Sequence, residues 1–401
     1  MASPFPAPQG QQVDPSQAQG AQIPLQSFTL PQFPPQALGL RALTLTSDIK
    51  LDEYQNLLSE RFTVPQLPPS IESLTLELFS LGYPPGFLKQ VADRLPYLKS
   101  LVVYSQLFGG ISNESTDDAI AFFDRLKGLR ALHLLDVFAR PHFFDHMGEY
   151  VTYNGEQGPQ YRRGLMFLEV NYTFRHNDEE FLPKIQATEL PSLVGPGLIS
   201  CCFNVSAEEE SEPSTDEAEK ENTKEGAKEG VMAFNKTLAP HLVSALTNEE
   251  KRPQGLKVLN CTLYTLGVSH LASVLKVQTG LMVLNATIEV DPTEECKKEL
   301  MDALENCKNL EQVEIVGNPS LQFFMAVSNP RGQALEKAFP SKEDMEKLGE
   351  RCAKLTSFKA SILRTTSMGT VEWTKADGTW KGGITAPDAD VAAKMAEAQS
   401  K

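Results

Sequence analysis

Two histidines four positions apart, His142 and His146, with Glu149 close behind, are the residues of this 401-residue chain whose spacing most suggests chemistry. On a helix, side chains at i and i+4 share a face, which is how paired imidazoles grip a metal ion. The pattern is incomplete. No glutamate follows the first histidine, Pro141 precedes it, and no third ligand is indicated. A nucleophile of the Gly-x-Ser-x-Gly kind is absent, as is a phosphate-cradling glycine loop; Gly195-Pro196-Gly197 reads as a turn. Carboxylates are plentiful, but sequence assigns no facing pair. The six cysteines lack zinc-ligand spacing and a disulfide framework, so they read as reduced thiols packed as small hydrophobes. The expectation is a protein that is not an enzyme and holds no metal and no cofactor.

One apolar pattern recurs along the chain: an apolar residue, two spacers, a second, one spacer, a third. It appears as Leu40/Leu43/Leu45, Ile71/Leu74/Leu76, Leu98/Leu101/Val103, Leu129/Leu132/Leu134, Leu165/Leu168/Val170 and Leu198/Cys201/Phe203. It continues as Leu256/Leu259/Cys261, Leu281/Leu284/Ala286, Leu310/Val313/Ile315 and Leu355/Phe358/Ala360. The starts lie 31, 27, 31, 36, 33, 58, 25, 29 and 45 residues apart. An acidic insert accounts for the 58, and the 45 implies a further insertion or a degenerate unit. Alternation across the single spacer is strand periodicity.

Helical segments lie between these strands. Asp291-Pro292-Thr293-Glu294 reads as an N-cap aspartate with proline at the first helical position. Thr116-Asp117-Asp118 opens a second helix, and Ser341 caps another that carries Met345, Leu348 and Cys352. Phe87, Val91 and Leu95, and Leu238, Leu242 and Leu246, form two more apolar helix faces. A single strand–turn–helix unit cannot bury its apolar side, whereas stacked neighbours can.

Ten such triplets resemble the leucine-rich-repeat family, from about Ala37 to Leu363; the unit ending Val316-Gly317-Asn318 also has the family's turn asparagine. The long spacing is similar to the ribonuclease-inhibitor and F-box-associated kinds. The resemblance implies an α/β solenoid, with a curved parallel sheet on the concave face and helices on the convex face. It also implies a scaffold that binds another protein on the concave face.

Residues 1–36 read as a disordered Pro/Gln-rich tail and 37–365 as the solenoid, interrupted by a disordered acidic insert at about 205–232. Residues 366–401 read as a C-terminal cap and tail. There Asp377-Gly378 turns a hairpin that puts Trp373 and Trp380 on one face. The net charge of −15 argues against nucleic acid and against an anionic membrane surface as partner. Ala207–Gly230 alone holds ten acidic residues against three lysines. The N-terminus shows no basic and apolar leader pattern, so the expectation is a monomeric cytoplasmic or nuclear protein. Six Asn-x-Ser/Thr sequons, at Asn113, Asn171, Asn204, Asn235, Asn260 and Asn285, are then expected to be unused.

Outward strand positions include Thr44, Thr75, Val102, Cys202, Asn260, Asn285, Thr287, Glu314 and Lys359, with Tyr104, His133, Glu169 and Asn171 as the candidate partner-binding group. Two other functions fit such repeats. A substrate-recognition subunit of a ubiquitin ligase would be expected to carry an F-box before the first repeat. A Ran-type GTPase-activating protein would carry its acidic stretch after the repeats.

Overall fold

The computed structural model describes residues 33, 39–46, 63–77, 82–104, 107–152, 164–174, 185–207, 238–320, 333–362 and 370–385. The second and third members of all ten triplets fall in ten successive strands. These are β1 (Ala42–Thr46), β2 (Ser73–Glu77), β3 (Ser100–Tyr104), β4 (Ala131–Leu135), β5 (Phe167–Phe174), β6 (Ser200–Ala207), β7 (Val258–Leu266), β8 (Val283–Val290), β9 (Gln312–Pro319) and β10 (Ser357–Ile362). They form one sheet in sequence order, every neighbour parallel, which two further strands extend to twelve.

The register follows the triplets. Leu43, Leu74, Leu101, Leu132, Leu168, Cys201, Leu259, Leu284, Val313 and Phe358 stand side by side in one row across the strands. A slip of one residue would turn every one of these side chains to the other face, so burial of the row locks the pairing. A backbone ladder runs beneath the strand entries, from Glu72 N–H to Arg41 C=O, Lys99 to Glu72, Arg130 to Lys99, and on through Thr356 to Glu311. No repeat ends on an unpaired rung within this run.

Helices α1 (Phe87–Arg94), α2 (Asn113–Arg125) and α3 (Phe143–Val151) follow β2, β3 and β4. A 3-10 turn at Leu190–Leu193 precedes β6. Next come α4 (Ala239–Thr247) before β7, α5 (Val268–Val277), α6 (Glu294–Leu304), α7 (Gln333–Ala338) and α8 (Lys342–Arg351). Strands sit about 4.8 Å apart while packed helices need about 8–10 Å, so one helix per strand bends the stack with the sheet inside. This is a leucine-rich-repeat solenoid. No helix among the described residues is long and apolar enough to cross a membrane.

Several local expectations shift. The cap of α6 is Thr293, not Asp291: its hydroxyl accepts from Cys296 N–H, while Asp291 C=O accepts from Thr293 N–H in the preceding turn. α2 begins earlier than Thr116, because Ser112 caps it by accepting from Ser115 N–H. Asn318 does not end its strand; it pairs with Glu289 inside β9. β6 continues to Ala207, past the expected start of the acidic insert, and the rest of that insert lies outside the described residues. So do the C-terminal tail from 386 and most of 1–36, of which Phe33 packs against the core.

The hairpin forms as expected. β11 (Thr370–Ala376) pairs antiparallel with β10, and β12 (Thr379–Thr385) with β11. Asp377 and Gly378 make the turn with φ of 55° and 78°, the left-handed region that a two-residue hairpin loop requires. Trp373 and Trp380 are both buried; Trp373 Nε1 donates to Pro340 C=O at 3.0 Å, and Trp380 lies against Gly349 of α8. They close the C-terminal end of the core.

Candidate functional site

The helix-free face of the sheet is laid out in rows by the same register that fixes the core. Across β3 to β6, one row reads Val102, His133, Glu169, Cys202. A row on one side reads Tyr104, Leu135, Asn171, Asn204, and on the other Ser100, Ala131, Phe167, Ser200. His133 and Glu169 come into direct contact, with Nδ1 and Oε2 2.9 Å apart and both side chains about one-third exposed. Tyr104 and Asn171 share a row but are separated by Leu135, so they lie roughly 10 Å apart at two strand spacings.

The sequence reading missed Phe167. It is 44% exposed and Tyr104 46%, the only large apolar side chains that exposed among the strand residues whose burial is described. Phe167 immediately precedes the inward residue Leu168, and an aromatic there reads as core unless the strand register is known. Thr287 is a second miss, in the other direction. Expected to face outward, it is fully buried and donates to Thr262 C=O at 3.1 Å. The cause is a register shift in β7, where Thr287 pairs with Thr265 and the intervening residues bulge over it. Tyr264 in that bulge is buried, and its hydroxyl donates to Ala187 C=O at 2.7 Å.

The loop after β4 steadies the four-strand patch. Asp136 sits at φ 51°, a strained conformation for a residue with a side chain. Its N–H donates to Asn171 C=O and its carboxylate accepts from Thr173 N–H, which pins the loop to β5. Tyr172 anchors it from below by donating to Val137 C=O; burial pushes that phenol far above its usual range. Burial likewise raises the Cys202 thiol, keeping it protonated beside Glu169. At the far end of the face, Lys359 pairs with Glu372 at 3.0 Å, which holds the ammonium pKa up.

The paired histidines do not act together. His142 lies before α3 and is drawn to Asp145 and Glu189, among the described groups able to hold an ion, while His146 is not part of that set. Glu189 is buried, and its carboxylate accepts from His142 N–H at 2.7 Å; burial raises its pKa.

No family model matches the chain, and no curated protein matches it. Among solved structures, it is similar to a chain of the yeast Rad7–Elc1 complex at 16% identity and TM-score 0.34, over 80% of this chain and 75% of that one. It is also similar to LegL7, a leucine-rich repeat-containing protein from Legionella pneumophila, at 14% identity and TM-score 0.32, over 81% of this chain and 84% of that one. The assignment of the solenoid rests on the chain's own ten-strand register.

Proposed function

We propose that this protein is a non-catalytic scaffold that holds a partner protein on the helix-free face of its sheet, centred on β3 to β6. The observation behind this reading is the pair of exposed aromatics, Tyr104 and Phe167, flanking the His133–Glu169 contact on a rigid surface. Aromatic side chains dominate interface energetics because they bury much area with few rotatable bonds. The four-strand patch covers only roughly 300 Å² in plan, while a stable interface needs about 800 Å² per side, so the partner must extend along neighbouring strands. Asn260, Asn285 and Glu314, next along the central row, would then form the polar rim. The free cysteines favour a reducing compartment, cytoplasm or nucleus.

The test is quantitative affinity capture comparing wild type, Tyr104→Ala/Phe167→Ala, and a control, Ser361→Ala, on the same face but distant from the patch. A partner recovered with wild type and control should be lost with the double variant, each aromatic contributing about 2 kcal/mol, or roughly 30-fold in Kd. Equal recovery by all three would overturn the proposal.

A further inference from the structure

We propose that His142, Asp145 and Glu189 form a site for one divalent transition-metal ion, with zinc as the best match. Their donor atoms all lie within 4.8 Å of one another, and His142 Nδ1 is 3.6 Å from Asp145 Oδ2. Two ligands each about 2.1 Å from a tetrahedral zinc are about 3.4 Å apart, close to that separation. His142 is largely exposed and its ring can rotate, Asp145 is about half exposed, and Glu189 is 7% exposed. Closing the set therefore asks chiefly for a small rotation of the imidazole.

The second observation is a buried carboxylate oxygen left without a well-formed hydrogen bond. Glu189 Oε1 accepts from His142 N–H and the Phe144 amide also faces the carboxylate, but Glu189 Oε2 has no hydrogen bond of good geometry. Asp118 provides the contrast within the same fold. It too caps the helix of the preceding repeat, and it uses both oxygens, taking Leu88 N–H at 3.0 Å and Lys89 N–H at 3.2 Å. Glu189 turns its carboxylate to the His142 and Phe144 amides and leaves Oε2 without a well-formed bond, near an imidazole and a second carboxylate.

The surroundings are built as metal sites are. Asp145 Oδ1 accepts from Ser192 Oγ, which orients the carboxylate and leaves Oδ2 for an ion. Gly148 allows α3 to press against the Ser192 backbone, since a Cβ there would collide with Ser192 C=O. His142 is held at φ 70°, an uncommon conformation that sets its ring over the first turn of α3. The positive end of α3 opposes a cation by about half a charge, but two carboxylates outweigh it. One imidazole with two carboxylates suits zinc, and equally cobalt as a probe, better than calcium or magnesium, which favour all-oxygen sets.

The experiment uses the full-length, tag-free, chelator-dialysed chain, titrated calorimetrically with zinc chloride and separately with cobalt chloride. One zinc per chain should bind at micromolar free ion. Glu189→Gln, which keeps an acceptor for the His142 N–H, and Asp145→Asn should each weaken it by about ten-fold or more. His142→Asn, tolerated at positive φ, should abolish it. The cobalt complex should show visible d–d absorption without thiolate charge-transfer bands. No uptake by wild type, binding unchanged in variants whose unfolding midpoint matches wild type, or thiolate bands in the cobalt spectrum would each overturn the assignment.

Discussion

Replacing Asp118 by alanine should loosen the N-terminal repeats by about 2–4 kcal/mol. Asp118 lies in α2 and is buried, yet its carboxylate serves α1, accepting from Leu88 and Lys89 N–H. Truncation strands two helix-entry donors away from water, at about 1–3 kcal/mol each before relaxation. Burial raises the Asp118 pKa against the lowering effect of the Lys89, Leu88 and Gly86 amides. A carboxyl whose folded pKa exceeds its unfolded value of about 3.8 contributes stability below that value and loses it as pH rises through the folded pKa. Asp118→Asn stays neutral throughout. Its deficit relative to wild type should therefore be largest at low pH and narrow as pH rises through that window. Urea melts between pH 3.5 and 7, with hydrogen exchange read on peptides covering residues 87–94, check both parts. Wild-type protection of those amides in Asp118→Ala would refute the capping account, and a deficit in Asp118→Asn that widens with pH would refute the dominance of burial over the amides.

Trp373→Ala should remove the indole bond to Pro340 and open the C-terminal end of the core, at about 3–5 kcal/mol, seen as early loss of protection in β10 to β12 during denaturant titration. Gln278→Leu strands the carbonyls of Leu246 and Pro253, which its buried amide joins across two repeats; a fall of about 1–3 kcal/mol in urea stability is expected. Burial pushes the Cys261 and Cys307 thiols up to about 12, so at pH 8 iodoacetamide should label them slowly in the native chain and rapidly in urea. Mass spectrometry should find Cys202 and Cys296 modified first, being the less buried pair.

The ten strands were legible because each apolar triplet has one way to hide against its neighbours, and period-two alternation then settles which face is which. Ser341 was legible for a local reason: its capping box with Asp344 needs only four residues. Caps with competing candidates were not. Asp291 and Thr293 both have the right chemistry, and the turn at Pro292 decides between them. Thr287 failed because a bulge in β7 belongs to the neighbouring strand rather than to its own sequence. On the candidate face, the contact of His133 with Glu169 and the outward placement of Phe167 both follow from the pairing of β5 with β4 and β6, which a lone aromatic beside an inward leucine does not announce. Glu189 stands 47 residues from His142, and nothing local joins them.

The strand register also settles where sugars would go. Asn171 faces Asn204 across β5 and β6, and Asn260 faces Asn285 across β7 and β8, each of them heading an N-glycosylation tripeptide. An oligosaccharide on any of these amides would stand on the helix-free face and shut a docking protein out. Glycosylation of these asparagines and occupancy of that face are therefore mutually exclusive, and a mobility shift on glycosidase treatment would reveal the former.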